Sequence, residues 1–295
     1  MNLPILWYFA DPMCSWCWGF SPVIEALRDE YREHMKIALV LGGLRHEAMP
    51  MTAAQRDDIL HHWRAVQART GQPFRFDNAL PDGFVYDTEP ACRAVVAVGG
   101  IDPGRIFALF KAIQTAFYAA GRDVTQPGVL ADLATGLGVD GRAFLDAFES
   151  DAARARTQAH FRQARQAGVR GFPTLIVQQD AQLHTVCTGC QPLDTVRAAI
   201  ERCLPPLVRA LRESGRQILW CSDPMHGNTR VTADGVKTRD FDDIKAELVR
   251  QCQADGKRQA AADDGVPAVE AGGLVEEVHG AAAAAAAALL LAVHL

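Results

Sequence analysis

The pattern of apolar and polar positions predicts a β-α-β unit at the start of the chain. Residues 5–10 and 36–41 are short, nearly continuous apolar runs, which are typical of buried strands. Between them, apolar residues recur at helical spacing after Ser21-Pro22 and end near Met35. A helix that joins two neighbouring strands in this way makes them parallel, with a right-handed connection.

A long helical section follows the second strand. Gly, Pro and Asp residues separate six stretches of helical periodicity. The predicted helices cover residues 53–70, 89–99, 103–120, 127–137, 141–149 and 152–167. We interpret their apolar positions as core. We interpret His61, His62 and Trp63 as solvated helix residues, with a ligand site as the alternative.

Strand signals return after the helical section. A turn leads into a β-branched run at 168–177, a partner strand follows at 183–186, and a helix at 192–203 closes the domain. The pattern therefore predicts an α/β domain that is interrupted by a helical insertion.

Beyond this domain the sequence changes character. Residues 281–295 are an Ala- and Leu-rich tail whose apolar run is too short to span a membrane. The predicted division of the chain is 1–50 with 168–204 for the α/β domain, 51–167 for the insertion, 205–280 for a partial α/β fragment and 281–295 for the tail.

Two cysteines stand where the first strand meets the first helix. Asp11-Pro12 ends the strand, and Cys14 and Cys17 follow where the helix begins. A strand that leads into Cys-x-x-Cys at a helix start is the thioredoxin arrangement. The unpaired N–H groups and the dipole of the helix favour a thiolate at Cys14, and Cys17, one turn further on, can resolve a mixed disulfide. The alternatives are inert cysteines and half of a zinc site, which would need two further ligands.

A second close pair, Cys187 and Cys190, also follows a predicted strand and precedes a predicted helix. Its flanks differ, because Gly189 and Gln191-Pro192 predict a tight turn. A second redox pair and thiols that oxidise adventitiously both stay open here.

Composition and charge limit the classes of binding partner that we expect. The 295 residues are 49% hydrophobic and 22% charged, which is typical of a globular protein. A net charge of -5 with scattered basic residues gives no reason to expect nucleic acid or an anionic membrane as partner. Eight cysteines are too sparse for a secreted disulfide scaffold, and the first strand begins close to Met1, so we expect a cytoplasmic protein. No cofactor is expected.

Residues 1–204 resemble the DsbA family of thioredoxin-fold oxidoreductases, particularly the cytoplasmic protein-disulfide isomerases related to FrnE. The motifs that carry the resemblance are Asp11 to Phe20, Gly42-Gly43-Leu44, Ala116-Phe117-Tyr118 and Gly171-Phe172-Pro173-Thr174. A sister branch, the chromene-carboxylate isomerases, generally lacks the dithiol, so both cysteines count against it.

The resemblance implies a thioredoxin fold with a large helical insertion and thiol–disulfide exchange as the activity. It makes Cys14 the nucleophile, Cys17 the resolving thiol and Pro173 a cis-proline that helps to seat the substrate. The flanking Trp16, Phe172 and Thr174 are expected to contact that substrate. The implied partners are thiol- or disulfide-containing proteins or small molecules, with glutathione or a thioredoxin-type reductant as redox partner. Ser15-Trp16 matches neither the thioredoxin nor the standard DsbA dipeptide, so the direction of exchange stays open.

Residues 204–280 resemble part of the class II 3-deoxy-D-arabino-heptulosonate 7-phosphate synthases, through Asp223-Pro-Met-His-Gly-Asn-Thr229 and 235–247. The resemblance makes His226 a metal ligand, and Glu270 a second one. Such a synthase builds its site inside a (β/α)₈ barrel of at least about 200 residues. We therefore expect no complete synthase site, and a poorly packed fragment. A metal-dependent synthase or its remnant, and a thiol-independent binding module, are the alternative functions.

Overall fold

The first strand lies inside the sheet and the rest of the fold is built around it. The computed structural model describes residues 3–179 and 182–204, and the backbone of 229–231 and 237–239. The sheet order is β2-β1-β3-β4, with β1 parallel to β2 and the other two pairings antiparallel. The strands are β1 (Ile5–Ala10), β2 (Lys36–Leu41), β3 (Thr174–Gln179) and β4 (Gln182–Thr188). This mixed sheet is the thioredoxin-like α/β fold that the sequence predicts.

Both faces of β1 are covered, which explains its nearly unbroken apolar sequence. Leu6 and Tyr8 face the larger core, which contains the dithiol and most of the helical insertion. Trp7 and Phe9 face a smaller cluster that Ala164 of the last inserted helix completes. Every residue from Leu6 to Ala10 is at most 5% exposed.

The described residues contain eight α-helices. One joins β1 to β2, six lie between β2 and β3, and one follows β4. They are α1 (Ser15–Glu30), α2 (Ala53–Thr70), α3 (Glu89–Ile101), α4 (Ile106–Gln114), α5 (Pro127–Gly136), α6 (Gly141–Glu149), α7 (Asp151–Gln166) and α8 (Leu193–Cys203). The predicted bounds differ by one or two residues for most of them.

Two helices differ more from the prediction. Helix α1 ends at Glu30, and a separate turn closed by the Tyr31 carbonyl carries the chain to the buried Met35. The predicted helix 103–120 is divided into a 3₁₀ turn at Pro103–Arg105, α4, and a π-helical turn at Thr115–Ala119. The π turn widens the helix locally, and three consecutive residues, Ala116, Phe117 and Tyr118, are all buried there.

The interpretation of Trp63 as a solvated residue is wrong. Its side chain is 1% exposed and packs against the rings of Phe74, Phe117 and Tyr118. His61 and His62 are exposed. Trp63 and Val66 are one helical turn apart, and this spacing places both on the buried face of α2.

The carboxyl-terminal predictions fall almost entirely outside the described residues. Two short strands, β5 (Thr229–Val231) and β6 (Lys237–Arg239), pair antiparallel. The rest of the predicted fragment and the tail, with His226 and Glu270, lies outside the described part. Within that part, no helix is both long and apolar enough to cross a membrane.

Candidate functional site

The dithiol lies at the amino-terminal end of α1. Cys14 is the residue that precedes the helix, and its carbonyl accepts the first helical hydrogen bond from the N–H of Trp18, at 3.0 Å. The Cys14 side chain is 5% exposed and Cys17, one turn further in, is completely buried. Cys14 therefore lies nearer to the surface, at the positive end of the helix dipole, and Cys17 lies behind it.

The two thiols have different environments. Burial raises the pKa of Cys17 well above its ordinary value, and the hydrogen bond with Cys14 raises it further. A backbone hydrogen bond from Asp11 acts in the opposite direction. Cys17 therefore keeps its proton at neutral pH unless a reaction step removes it.

A buried carboxylate anchors the loop that carries the dithiol. Asp11 is 0% exposed, and its Oδ1 accepts from the N–H of Met13 at 2.8 Å. Its Oδ2 accepts from the N–H of Leu44 and the hydroxyl of Thr88, each at 2.8 Å, and from the thiol of Cys92 at 3.5 Å. Burial raises the pKa of Asp11, and these hydrogen bonds oppose the rise. The carboxylate thus joins the end of β1 to the loop after β2 and to the start of α3.

The turn before β3 also borders the site. The Phe172–Pro173 peptide bond is cis, and the Phe172 carbonyl accepts from the Cys14 thiol at 3.6 Å. The Pro173 carbonyl accepts from the N–H of Gly189 at 2.8 Å. Thr174 is 4% exposed, and its hydroxyl donates to the Gly171 carbonyl at 2.8 Å. The fold thus brings Cys14, Cys17 and the Phe172–Pro173 turn together. Cys14 and Phe172 are 158 residues apart in sequence.

Two glycines make room for this turn. A Cβ atom on Gly42 would overlap the ring of Phe172, and one on Gly43 would lie 2.8 Å from the ring of Phe161. Gly43 also has a φ of +64°, which side-chain-bearing residues rarely adopt. The Gly42-Gly43 motif is therefore explained by close approach of two aromatic rings.

The helical insertion supplies an exposed edge beside the dithiol. Trp16 is half-buried, and its ring contacts His62 edge-to-face at 5.6 Å and the guanidinium of Arg69 at 5.8 Å. Burial lowers the pKa of His62, and the positive charge of Arg45 lowers it further. Arg69 makes this edge cationic. Its signal in the sequence is the spacing of seven between His62 and Arg69, which places both on one face of α2.

Aromatic residues hold the dithiol loop from below. The Trp18 indole N–H donates to the Pro73 carbonyl at 3.0 Å, and the Tyr86 hydroxyl donates to the Met13 carbonyl at 2.8 Å. The rings of Trp18 and Tyr118 stack at 6.3 Å. Sequence reasoning did not single out Asp11, Thr88, Cys92 or Tyr86 as contributors, because their contacts depend on long-range packing.

No metal site lies among residues 3–179 and 182–204. No group of three or more His, Cys, Asp or Glu side chains there could hold a metal ion. His226 and Glu270 have the predicted metal roles, and both lie outside the described part of the chain.

Comparison with known proteins gives two family matches. A model described as DSBA-like thioredoxin domain matches residues 5–201, and one described as class-II DAHP synthetase family matches residues 195–292. Both resemblances drawn from the sequence are confirmed.

Two solved structures match this chain over nearly the whole of their own length. A "putative protein disulfide isomerase" from Nitrosomonas europaea is 46% identical, with a TM-score of 0.66, over 70% of this chain and 99% of the other. The cytosolic disulfide reductase DsbM from Pseudomonas aeruginosa is 32% identical, with a TM-score of 0.59, over 68% of this chain and 99% of its own. DsbM has also been solved with GSH.

A curated relative, the ClpXP adapter protein SpxH of Halalkalibacterium halodurans, is 24% identical over 181 residues. The match covers 59% of this chain and 58% of that protein. The chain thus spans less than two thirds of the length of this relative.

We predict that Gly42→Ala lowers the thermal stability of the protein. The added methyl group must displace the Phe172 ring, and such overpacking costs about 1–3 kcal/mol. The expected decrease in Tm is about 3–10 °C, measured by circular dichroism. The control is Gly128→Ala in α5, where a Cβ meets no atom within 4 Å. Equal Tm values for the two variants would contradict the close approach.

We also predict a pH-dependent effect of Asp11→Asn. In one orientation the new NH₂ group would face the donors of Leu44, Thr88 and Cys92. In the other it would replace the oxygen that accepts from the N–H of Met13. Either loss costs about 1–3 kcal/mol. Because the folded-state pKa of Asp11 is raised above 3.8, its contribution is greatest below that value and falls as the pH rises through the folded pKa. The difference in unfolding free energy between the reduced wild type and the variant should therefore shrink as the pH rises above about 4, in urea titrations. A difference that grows with pH would show a lowered pKa instead.

Proposed function

Because the chain belongs to the family of DSBA-like thioredoxin domains, we propose that it catalyses thiol–disulfide exchange through Cys14 and Cys17. One observation carries the proposal. Cys14 stands at the start of α1, with its sulfur 3.6 Å from the carbonyl before the cis Pro173, and Cys17 is buried behind it. This arrangement supports an attacking role for Cys14 and a resolving role for Cys17.

The reaction proceeds through a mixed disulfide at Cys14. The Cys14 thiolate attacks one sulfur of a substrate disulfide, so the substrate S–S bond breaks and the other sulfur leaves as a thiolate. Cys17 then loses its proton and attacks the Cys14 sulfur, which releases the second substrate thiolate. Two electrons pass to the substrate, and the protein holds a Cys14–Cys17 disulfide. Two thiol molecules can reduce that disulfide again by the reverse steps.

The environment of Cys17 favours reduction of substrates over their oxidation. A thiol with a raised pKa is a poorer leaving group and, once deprotonated, a stronger nucleophile. Attack by Cys17 on a mixed disulfide is therefore favoured over its displacement. The 32% identical structure, DsbM, is named a cytosolic disulfide reductase, which supports the same direction and a cytoplasmic location for this protein.

Glutathione is the proposed redox partner. It is an anionic tripeptide thiol, and the edge beside Cys14 presents the Arg69 guanidinium at 5.8 Å from the ring of the half-buried Trp16. The charge on Arg69 also lowers the pKa of Cys190, which burial raises. A solved structure of DsbM with GSH supports a partner of this class.

The remaining predicted site residues have proposed supporting roles. Pro173 and Phe172 form the backbone beside Cys14, where an extended substrate segment could pair as an added strand. Trp16 provides an aromatic surface at the cationic edge. Thr174 holds the turn by its bond to Gly171.

No synthase activity is proposed. The DAHP synthetase match covers residues 195–292, about one third of the chain. A span of this length cannot supply the strands of a (β/α)₈ barrel, from whose loops such a site is built.

We predict opposite outcomes for the two cysteine variants. Cys14→Ser should reduce glutathione-dependent disulfide reductase activity by at least about 100-fold, because it removes the attacking sulfur. Cys17→Ser, combined with Cys190→Ser so that no neighbouring thiol replaces Cys17, should instead accumulate a mixed disulfide between Cys14 and glutathione, because the resolving sulfur is absent. Intact-mass analysis after incubation with oxidised glutathione measures the adduct. Cys203→Ser is the matched control, since Cys203 lies in α8. A fully active Cys14→Ser variant would exclude the mechanism.

The direction of exchange is tested by the reduction potential. We expect a value near about −270 mV for the Cys14–Cys17 pair, within the reducing range of the cytosolic glutathione pool. Equilibration across glutathione redox ratios, followed by alkylation and mass determination of the peptide that contains both cysteines, gives the potential. A value of about −120 mV would instead mark an oxidant. If no disulfide forms at any ratio, the second candidate replaces the first: a thiol-independent binding module, which the SpxH relative, named a ClpXP adapter, favours.

A further inference from the structure

The second cysteine pair lies next to the dithiol. Cys187 is in β4, opposite Leu175 of β3, and is 4% exposed. The next turn is fastened to the cis-proline turn, because the N–H of Gly189 donates to the Pro173 carbonyl at 2.8 Å. Since the Phe172 carbonyl accepts from the Cys14 thiol, the Gly189 backbone is joined to Cys14 through only two hydrogen bonds and the Phe172–Pro173 turn.

A β-bulge directs this pair towards the site. Leu175 pairs with Cys187 whereas Ile176 pairs with Thr185, so Val186 is an extra residue in β4. Bulges re-aim the side chains that follow them and are frequent beside active sites. Here Cys187 is buried, and Cys190, three residues later, is partly buried against the same core cluster that holds Cys14 and Cys17. Gly189 has a φ of +76°, which allows the sharp turn between them.

Electrostatic interactions agree with this proximity. Burial raises the pKa of Cys190, the charge of Arg69 lowers it, and a charge on Cys14 raises it. Burial raises the pKa of Cys187, and a charge on Cys190 raises it further, to about 12. The buried Tyr8 is within range of the charges of Cys14, Cys17 and Cys190 together. The fourth thiol, Cys187, is within range of the charge of Cys190.

We propose that Cys187 and Cys190 form a second redox pair that exchanges a disulfide with Cys14. The Cys190 thiolate attacks the Cys14 sulfur of the Cys14–Cys17 disulfide, so that bond breaks, Cys17 takes up a proton, and a Cys14–Cys190 bond forms. The Cys187 thiolate then attacks Cys190, which forms a Cys187–Cys190 disulfide and releases Cys14 as a thiolate. The two electrons come from the Cys187–Cys190 dithiol, so no outside reductant takes part. This inference rests on the proposed exchange activity of Cys14.

The test traps the intermediate with two double variants of the full chain. In Cys17→Ser/Cys187→Ser, both resolving thiols are absent, so oxidised glutathione should first modify Cys14, and Cys190 should then displace glutathione and remain bonded to Cys14. The matched variant, Cys17→Ser/Cys190→Ser, keeps Cys187 but lacks the attacking sulfur. Non-reducing tryptic peptide mapping separates the cysteines, because Cys14 lies in peptide 1–28 and Cys190 in peptide 171–197.

We expect the peptide that links 1–28 to 171–197 to be at least about tenfold more abundant in the first variant than in the second. Glutathione on Cys14 in both variants with no linked peptide in either would overturn this inference and leave the proposed function standing. Equal amounts of linked peptide in both variants would also overturn it, since Cys190 would not be the attacking thiol. Absence of glutathione from Cys14 in both variants would overturn the proposed function as well.

Discussion

The site depends on a carboxylate that has no contact with solvent. Asp11 ends β1, and its two oxygens accept from the backbone of residues 13 and 44 and from two side chains at the start of α3. Burial of a carboxylate is costly unless hydrogen bonds compensate for the lost water. Here the compensation comes from three separate parts of the chain, so contacts from both the sheet and the insertion hold the loop that carries Cys14. Stability and site geometry are therefore coupled at one residue.

This coupling changes how the helical insertion is understood. The insertion is not a cover added to a finished thioredoxin core, because α3 supplies Thr88 and Cys92 to Asp11 and α2 supplies the cationic edge beside Trp16. Its aromatic residues also support the loop from below, with Trp18 stacked on Tyr118. The surroundings of the dithiol thus include residues of the insertion that lie more than forty positions away in sequence.

Much of the fold follows from local pattern. The apolar runs at 5–10 and 36–41 and the helices at 53–70 and 141–149 have the predicted bounds, because periodicity and end signals agree there. The π-helical turn at Thr115–Ala119 could not be predicted from local pattern. Its hydrogen bond, from the N–H of Ala120 to the carbonyl of Thr115, forms where packing buries three consecutive side chains.

The candidate site divides in the same way. Cys14 and Cys17 can be predicted because the strand, the Asp11-Pro12 break and the dithiol follow one another in the sequence. The hydrogen bonds of Asp11 cannot be predicted, because Asp11-Pro12 indicates only the end of a strand. Trp63 lies between His62 and Arg64, and such polar neighbours favour a solvated position, although its spacing to Val66 places it on a buried face.

The tryptophans give the site an optical property. Trp16 and Trp18 are immediate neighbours of Cys17 in the chain, and Trp63 contacts Tyr118, on which Trp18 stacks. A disulfide quenches the emission of an adjacent excited indole by accepting an electron, whereas a dithiol quenches it less. Trp7, by contrast, lies in the cluster on the other face of the sheet. The intrinsic fluorescence of the unlabelled protein should therefore contain one component that follows the state of the sulfur atoms and another that does not, which makes the protein a reporter of its own oxidation.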